Sequence, residues 1–439
     1  MRRRRQHHRD GGAASGEQLC RHRLLREPDR DRKGNRRARL GLNNVELRAA
    51  DILDLPDELG SFDYVVAHGL YSWVPEEVRR KALCLIKHSL APEGIAFVSY
   101  NAYPGWHELS LVRDMMLYRT RNISNPKERA QTARSFVALV AHAQRDDSPF
   151  AQFVRQYSAS LHGRGNVPES QFISTLIHDE LSDINQPFYF SEFVDHVHAQ
   201  GLEFLAEADL EGSTPVGMDS DVIEGLSSFT TSRVEMEQYV DFIRNRRFRR
   251  TLLCHQDAPV SRTLNAGAQA LRGMYIGSFA GLKRAPEDPP GMLRFETPDG
   301  VSYATDQPLL QAAFHRLGEI YPQVTLFEDL LARAREAAGS TAAQDGDALA
   351  AALIRNFLHS RSLVAFYVAP RPLVVEVSER PLATGFARFI AGQDTENATN
   401  VRHEPVQMTL IARALVPLWT ASVTSHRCWR RRESRSGRP

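Results

Sequence analysis

Ala50-Asp51-Ile52-Leu53-Asp54-Leu55-Pro56, then Ser61-Phe62-Asp63-Tyr64-Val65-Val66-Ala67-His68-Gly69-Leu70-Tyr71-Ser72-Trp73, is the stretch on which the fold turns. Phe62 to Ala67 is a short apolar run rich in valine and reads as a buried strand. Upstream, Val45-Glu46-Leu47-Arg48-Ala49 alternates apolar and polar residues and predicts a half-buried strand leading to Asp51-Ile52. Downstream, Pro75 to Leu90 predicts a helix, with proline at its start and Glu76-Glu77 in the first turn, where carboxylates complement the helix dipole. Ala91-Pro92-Glu93-Gly94 predicts a turn, and Ile95 to Tyr100 a third strand. Strand, helix and strand in such short order imply a parallel sheet with right-handed crossovers.

Ligands of an open parallel sheet sit outside the carboxyl ends of its strands. Three strand ends carry polar or aromatic groups: Asp51-Ile52, His68 to Trp73, and Tyr100-Asn101-Ala102-Tyr103-Pro104-Gly105-Trp106. A carboxylate accepts from an exocyclic adenine amine, an isoleucine covers a ring face, and aromatic rings wall an acceptor pocket or stack on a cation. These are group types suited to a nucleoside-bearing cofactor. Each has a plainer reading beside it: Asp51 as a cap or solvent-facing acid, His68 as a structural histidine, Asn101 as a turn cap, and Tyr71, Trp73, Tyr103 and Trp106 as packing aromatics.

The rest of the chain shifts to helical periodicity. Apolar residues recur at helical spacing over Arg129 to Gln144, Phe150 to Leu161, Phe190 to Gln200 and Val234 to Arg246, the last running into a basic cluster, Arg244 to Arg250, that reads as a solvated helix face. Ala285 to Gly291 predicts a linker, Phe295 to Gly300 a strand and turn, 307–318 and 345–360 helices, Leu363 to Val368 a strand, and Ala337 to Gly346 a loose loop. His178-Asp179-Glu180 has metal-ligand residue types, but adjacent positions on a helix point in different directions, so no metal site is expected.

Composition sets the limits. The chain has 439 residues, 42% of them hydrophobic and 25% charged, which is ordinary for a globular protein of about three domains. The net charge of +2 argues against a polyanion binder, although arginine crowds the first 39 residues and the stretch from Arg427 to Arg438. Those basic ends lack interleaved aromatics or a nucleic-acid motif, so nucleic-acid binding is not expected. Cys20, Cys84, Cys254 and Cys428 form no C-x-x-C pair, which fits free thiols in a reducing cytoplasm. No apolar run is long enough for a membrane span, and no apolar h-region follows the basic start.

Asp51-Ile52, Leu55-Pro56 and Ser61-Phe62-Asp63-Tyr64-Val65-Val66 together resemble the middle of a class I S-adenosylmethionine-dependent methyltransferase. His68 to Pro75 and Ser99 to His107 resemble a narrower bacterial group that carries a methyltransferase regulatory domain and includes protein-lysine methyltransferases. His178-Asp179-Glu180-Leu181, Asn185-Gln186-Pro187-Phe188-Tyr189-Phe190, Phe193 and Asp241 to His255 look like that regulatory domain. Phe295 to Gly300 and Asn400-Val401-Arg402-His403-Glu404 resemble the winged-helix-like domain of the same proteins.

The resemblance implies an α/β protein in five parts: a basic disordered segment over 1–39, an incomplete Rossmann-like sheet over 40–106, a mostly helical regulatory domain over 107–284, an α+β winged-helix-like domain over 285–418, and a basic tail over 419–439. It implies S-adenosylmethionine held by Asp51, Ile52 and His68, with His68, Tyr71, Tyr100, Asn101 and Tyr103 in the catalytic centre and Trp73 and Trp106 lining the substrate pocket. A protein substrate, a homodimer and a cytoplasmic location follow from the same resemblance. Rival readings are a non-catalytic remnant or interaction module and, less favoured, a nucleic-acid binder.

Such a methyltransferase needs a glycine-rich turn after its first strand and an acid ending its second. Residues 1–39 supply neither in context, since no strand precedes Gly11-Gly12. Codons can be chosen for Met1 to Ala38 so that the next frame spells a glycine-rich turn, a helix, a strand ending in an acid, and a second helix. The same holds after Leu418 in the other frame, for a continued helical domain. The expectation is therefore a chain truncated at its N-terminus and frameshifted at both ends, with impaired cofactor binding and folding; the coding DNA decides it.

Overall fold

The computed structural model describes residues 44–421 except 45, 47, 163–168, 210–217, 261–266, 285, 287, 371, 372, 374, 377, 394–396, 402 and 403. The segment 1–39 and most of 419–439 thus lie outside the described residues. The described chain divides into two compact units at 261/262.

The first unit is built on a four-stranded sheet, order β1-β2-β4-β3, with β1 Phe62–Ala67, β2 Leu90–Asn101, β3 Leu202–Glu207 and β4 Phe248–His255. β1 and β2 are parallel, Tyr64 opposite Ile95 and Ala67 opposite Val98, joined by α1 Glu76–Ser89. Pro75 caps that helix and Glu76 and Glu77 fill its first turn, as expected from sequence. The turn expected at Ala91 to Gly94 is a bulge within β2. Phe62 pairs with Leu90 and Tyr64 already with Ile95, so the residues between loop out of the ladder. Of the strand expected over 45–49, Val45 and Leu47 lie outside the described residues, and Glu46, Arg48 and Ala49 are not in a strand. Alternation alone does not make a strand without a neighbour to pair with.

β4 runs antiparallel to both β2 and β3. The sheet therefore does not stop at residue 106. Two of its four strands come from the segment expected to be a separate helical domain, and the boundary at 106/107 is corrected accordingly.

One face of the sheet is dry. Val65, Ala67, Ala96, Val98, Tyr100 and Leu253 pack against Leu83 and Ile86 of α1 and Phe193 and Val197 of α6 Phe190–His198. On the opposite face β1 is open among the described residues, with Tyr64 71% and Val66 67% exposed, while Ser99 of β2 and Cys254 of β4 are buried. Parallel sheets ordinarily bury both faces. Four helices, α2 Trp106–Thr120, α3 Pro126–Ala143, α4 Pro149–His162 and α5 Glu169–His178, form a separate apolar cluster around Val112, Met116, Ala133 and Leu176. After β3 come α7 Ser220–Phe229 and α8 Arg233–Arg244.

The basic cluster 244–250 is not a solvated helix face. α8 ends at Asn245 in the left-handed conformation, and β4 begins at Phe248. The pleat sends Arg249 inward, where it is 0% exposed. Its guanidinium meets Asp241 (Nε–Oδ2 2.8 Å), Glu207 (Nη1–Oε1 2.9 Å) and Glu237 (Nη2–Oε2 3.0 Å), and its Cζ lies 3.8 Å from the centre of the Phe190 ring. Arg246 adds a second cation on Asp241 at 2.5 Å. Burial pushes the Glu237 carboxyl up to about 7, against the pull of Arg249. Burial likewise raises Asp241, while its carboxylate neighbours keep Arg249 protonated. This hub ties β4, β3 and α8 together.

The second unit is α+β. α10 Pro308–Ile320, α11 Phe327–Ala338 and α12 Asp345–His359 enclose a core of Phe314, Leu317, Leu330, Leu349 and Leu353 with Ile276 and Phe295 from short strands; a one-turn helix, α9 Ala268–Leu271, precedes them. The strands form two three-stranded sheets, Ala365–Tyr367 with Tyr275–Gly277 and Thr325–Leu326, and Gly281–Lys283 with Leu293–Glu296 and Ser302–Thr305. Gly339 stops α11 in the left-handed conformation that favours glycine. Of the linker expected at 285–291, residues 285 and 287 lie outside the described residues, and Asp288 is tied into this unit, accepting from Arg294 Nε at 3.0 and 3.2 Å. Asn400 and Glu404 close the hairpin Asn397–Thr399/Pro405–Gln407 through reciprocal bonds of 2.7 and 3.0 Å. No described helix is long and apolar enough to cross a membrane.

Candidate functional site

Because β1 and β2 are parallel, their carboxyl ends fall at one rim, and two loops leave from it: His68 to Val74 and Ala102 to Gly105. Gly69 makes the first turn possible. Its φ of 61° is left-handed, which other residues adopt at a cost. Its N–H donates to Ser99 Oγ (2.9 Å), and the same hydroxyl lies 2.9 Å from His68 Nδ1. The exposed His68 ring stands against Phe97 and edge-on to Phe248.

The second loop is tied to the first. Asn101 N donates to Ser72 Oγ at 2.9 Å. Ser72 and Asn101 are both buried. Trp73 and Trp106 meet edge to face at 6.2 Å, each nearly buried, so they pack on one another at the rim. Tyr103 is half-buried, stacked on His107 at 4.1 Å and tilted against Tyr189 at 5.3 Å. Burial raises its phenol. Gly105 passes under the end of α8: a Cβ there would stand 2.4 Å from Asn245 O, and its N–H donates to Arg246 O (2.9 Å).

His68, Asn101, Tyr103, Trp73 and Trp106 are thus brought to one rim. Tyr71 and Tyr100, expected in the catalytic centre, lie inside the core instead. Tyr71 Oη is 3.1 Å from His196 Nδ1, with its ring among Phe188, Phe193 and Tyr100. Tyr100 stacks on Phe193 at 4.0 Å, and its hydroxyl lies 3.4 Å from Thr251 Oγ1. Desolvation pushes both phenols upward, which makes them poor proton donors to a reaction. Asp51 and Ile52 open a turn ahead of β1: Asp51 Oδ1 accepts from Leu53 N (3.0 Å) and Asp51 O from Asp54 N (3.2 Å). The Oδ1 atom thus caps this turn, and among the described residues Oδ2 has no hydrogen-bond partner.

The segment Asn185–Tyr189 forms a third wall, and the motif Asn185-Gln186-Pro187-Phe188-Tyr189 is the sequence signal for it. Phe188 packs between Tyr71, Tyr100 and His196, with Arg79 5.2 Å over its ring.

Residues 173–255 match the family described as "Predicted methyltransferase regulatory domain". The matched segment supplies β3, β4 and the Asn185–Tyr189 wall. Across 97% of its length it shares the fold of PKMT2 from Rickettsia typhi, with a TM-score of 0.77 at 23% identity and 84% of that chain covered. Against the structure of PKMT2 in complex with AdoHcy, the TM-score is 0.75 at 24% identity, covering 93% of this chain and 78% of that one. In sequence it is 36% identical over 227 residues to an uncharacterized protein of Rickettsia prowazekii, 52% of this chain and 40% of the relative. It is 32% identical over 170 residues to a second uncharacterized protein of that organism, 37% of this chain and 63% of the relative. The chain thus spans less than two thirds of the length of each of these two curated relatives.

Proposed function

We propose that the chain is built for S-adenosylmethionine-dependent methyl transfer to a lysine amine of a protein, and that as it stands it holds the cofactor weakly. What supports the first half is that His68, Asn101 and Tyr103 stand at or just beyond the carboxyl ends of two parallel strands. The likeness of fold to PKMT2, known with AdoHcy, supports it.

The donor set fits such a cofactor in part. Asp51 Oδ2 would accept from the adenine amine, Ile52 would cover the ring, and His68 would lie toward the methionine end. When bound, the cofactor supplies an electrophilic methyl group on a sulfonium. The chain's own residues do the rest: Asn101 orients the acceptor nitrogen through its side-chain carbonyl. Tyr103, Trp73 and Trp106 exclude water and favour the neutral, nucleophilic amine over the ammonium. Tyr71 and Tyr100 are the scaffold under the rim.

Weak cofactor binding is supported by the open side of the sheet. β1 is the end strand among the described residues, and Tyr64 and Val66 face outward. In this reading the second unit is a winged-helix-like arm that helps bind the protein substrate or a second copy of the chain. The same open face favours a rival, a non-catalytic interaction module. Labelled S-adenosylmethionine with bacterial lysate separates the two: transfer that falls in Asp51→Ala supports the enzyme, and no transfer to any protein supports the rival.

A further inference from the structure

The Asn185–Tyr189 segment is stitched to both rim loops. Gln186 N donates to Ser72 O (2.8 Å), Phe188 N donates to Asn101 O (3.0 Å), and Tyr103 N donates to Phe188 O (2.9 Å). Alongside these backbone bonds runs one between side chains: Asn101 Nδ2 donates to Asn185 Oδ1 at 2.8 Å. Asn101 is only 4% exposed, and its backbone N–H is already held by Ser72 Oγ.

An asparagine amide has a donor end and an acceptor end. Anchoring the NH2 group decides which end is presented. Among the described residues, no group donates to Asn101 Oδ1.

We propose that Asn185 is a positioning residue: by accepting from the Asn101 NH2 group, it holds the Asn101 carbonyl oxygen toward the rim, as the acceptor for an N–H of the incoming amine. The inference rests on the methyl-transfer reading and deepens it. It names a substrate class, a neutral amine that keeps at least one N–H to donate. A tertiary amine, with none, is not oriented. It also makes the regulatory domain a direct contributor to the geometry of the acceptor site. Whatever moves the 185–189 wall turns the Asn101 amide.

The test uses the full chain labelled with 15N-asparagine, the Asn101 amide signal being assigned by its loss in Asn101→Ser. In wild type the Asn101 NH2 protons exchange slowly with solvent. Asn185→Asp keeps an acceptor and preserves slow exchange, whereas Asn185→Leu, of similar volume, releases it. Unchanged exchange in Asn185→Leu overturns the proposal. So does fast exchange in Asn185→Asp, because a carboxylate only accepts; that result means the pair is bonded the other way round, with the Asn101 oxygen consumed.

A second arm follows labelled methyl transfer to a poly-lysine peptide. The turnover number of Asn185→Leu falls about 100-fold, as misplacing a reacting group does, with KM little changed, while Asn185→Asp stays near wild type. Released exchange with unaltered turnover overturns the catalytic role. No transfer by the wild type sinks the methyl-transfer reading and this role with it, while the exchange arm still reports separately on the clamp.

Discussion

Replacing Arg249 with methionine, of similar length and without charge, removes the one cation that three buried carboxylates share. Glu207 keeps two other donors, Thr251 Oγ1 at 2.5 Å and Arg250 N at 2.9 Å. Asp241 keeps Arg246. Glu237 keeps none among the described residues, because its carboxylate bonds only Arg249 there. Removing one member of a buried ion pair costs about 3–5 kcal/mol, mostly the expense of leaving the other charge unpaired. Whole domains are stable by only about 5–15 kcal/mol, so Arg249→Met takes a large share of the total. The expected result is a markedly lower urea midpoint, followed by tryptophan fluorescence from Trp73 and Trp106. Arg249→Lys does not rescue it, since a point charge cannot bridge three elements as a planar fork does. Adding Glu237→Gln to Arg249→Met recovers part of the loss above about pH 7, where the unpaired buried carboxyl must otherwise hold a proton against the solvent. A midpoint for Arg249→Met equal to wild type, or a double variant no better than the single, would refute the reasoning.

Other consequences follow from the same contacts. The Glu237 carboxyl is raised from its ordinary value of 4.5 to about 7 in the folded protein, so its contribution to stability is intact below 4.5 and lost as pH rises toward 7. Glu237→Gln, which cannot ionise, therefore gains on wild type across that window, by about 3 kcal/mol at most; unfolding curves at pH 4.5 and 7.5 with the same difference at both would contradict this. Tyr71→Phe loses the contact with His196 and about 1 kcal/mol of stability, but leaves any methyl transfer at the wild-type rate; a large fall in turnover would return Tyr71 to the catalytic centre. Gly105→Ala forces a Cβ against the carbonyl oxygens of Asn245 and Arg246 and costs about 1–3 kcal/mol in thermal unfolding, although its φ of −62° suits any residue. A chain begun at residue 107 leaves β4 without β2 and exposes a strand edge; it is expected to aggregate, and a soluble monomer would show the sheet to be dispensable.

What the sequence disclosed was what local pattern encodes. The valine-rich run at Phe62 to Ala67 and the Pro75-Glu76-Glu77 helix start are short-range signals, and both elements formed with the parallel pairing they implied. The convergence of His68 and Asn101 followed from that topology. Long-range pairing was not legible. Arg244 to Arg250 looks like a solvated basic face because nothing nearby says that Arg249 meets Glu207. Likewise Tyr71 and Tyr100 are indistinguishable in sequence from Tyr103. Only the packing of α6 against the sheet, through Phe193 and Val197, decides that the first two are core and the third is rim. The Asn185 contact to Asn101 sits in the same class: its motif was visible, but its target, 84 residues away, was not.

The most direct measurement is a titration of AdoHcy into 15N-labelled protein, reading backbone shifts at Asp51, His68 and Asn101 together. The rim site predicts that all three move along one weak, saturable curve that is abolished by Asp51→Ala. Shifts confined to residues away from the ends of β1 and β2, or three positions following unrelated curves, would contradict a shared site for a sulfonium nucleoside.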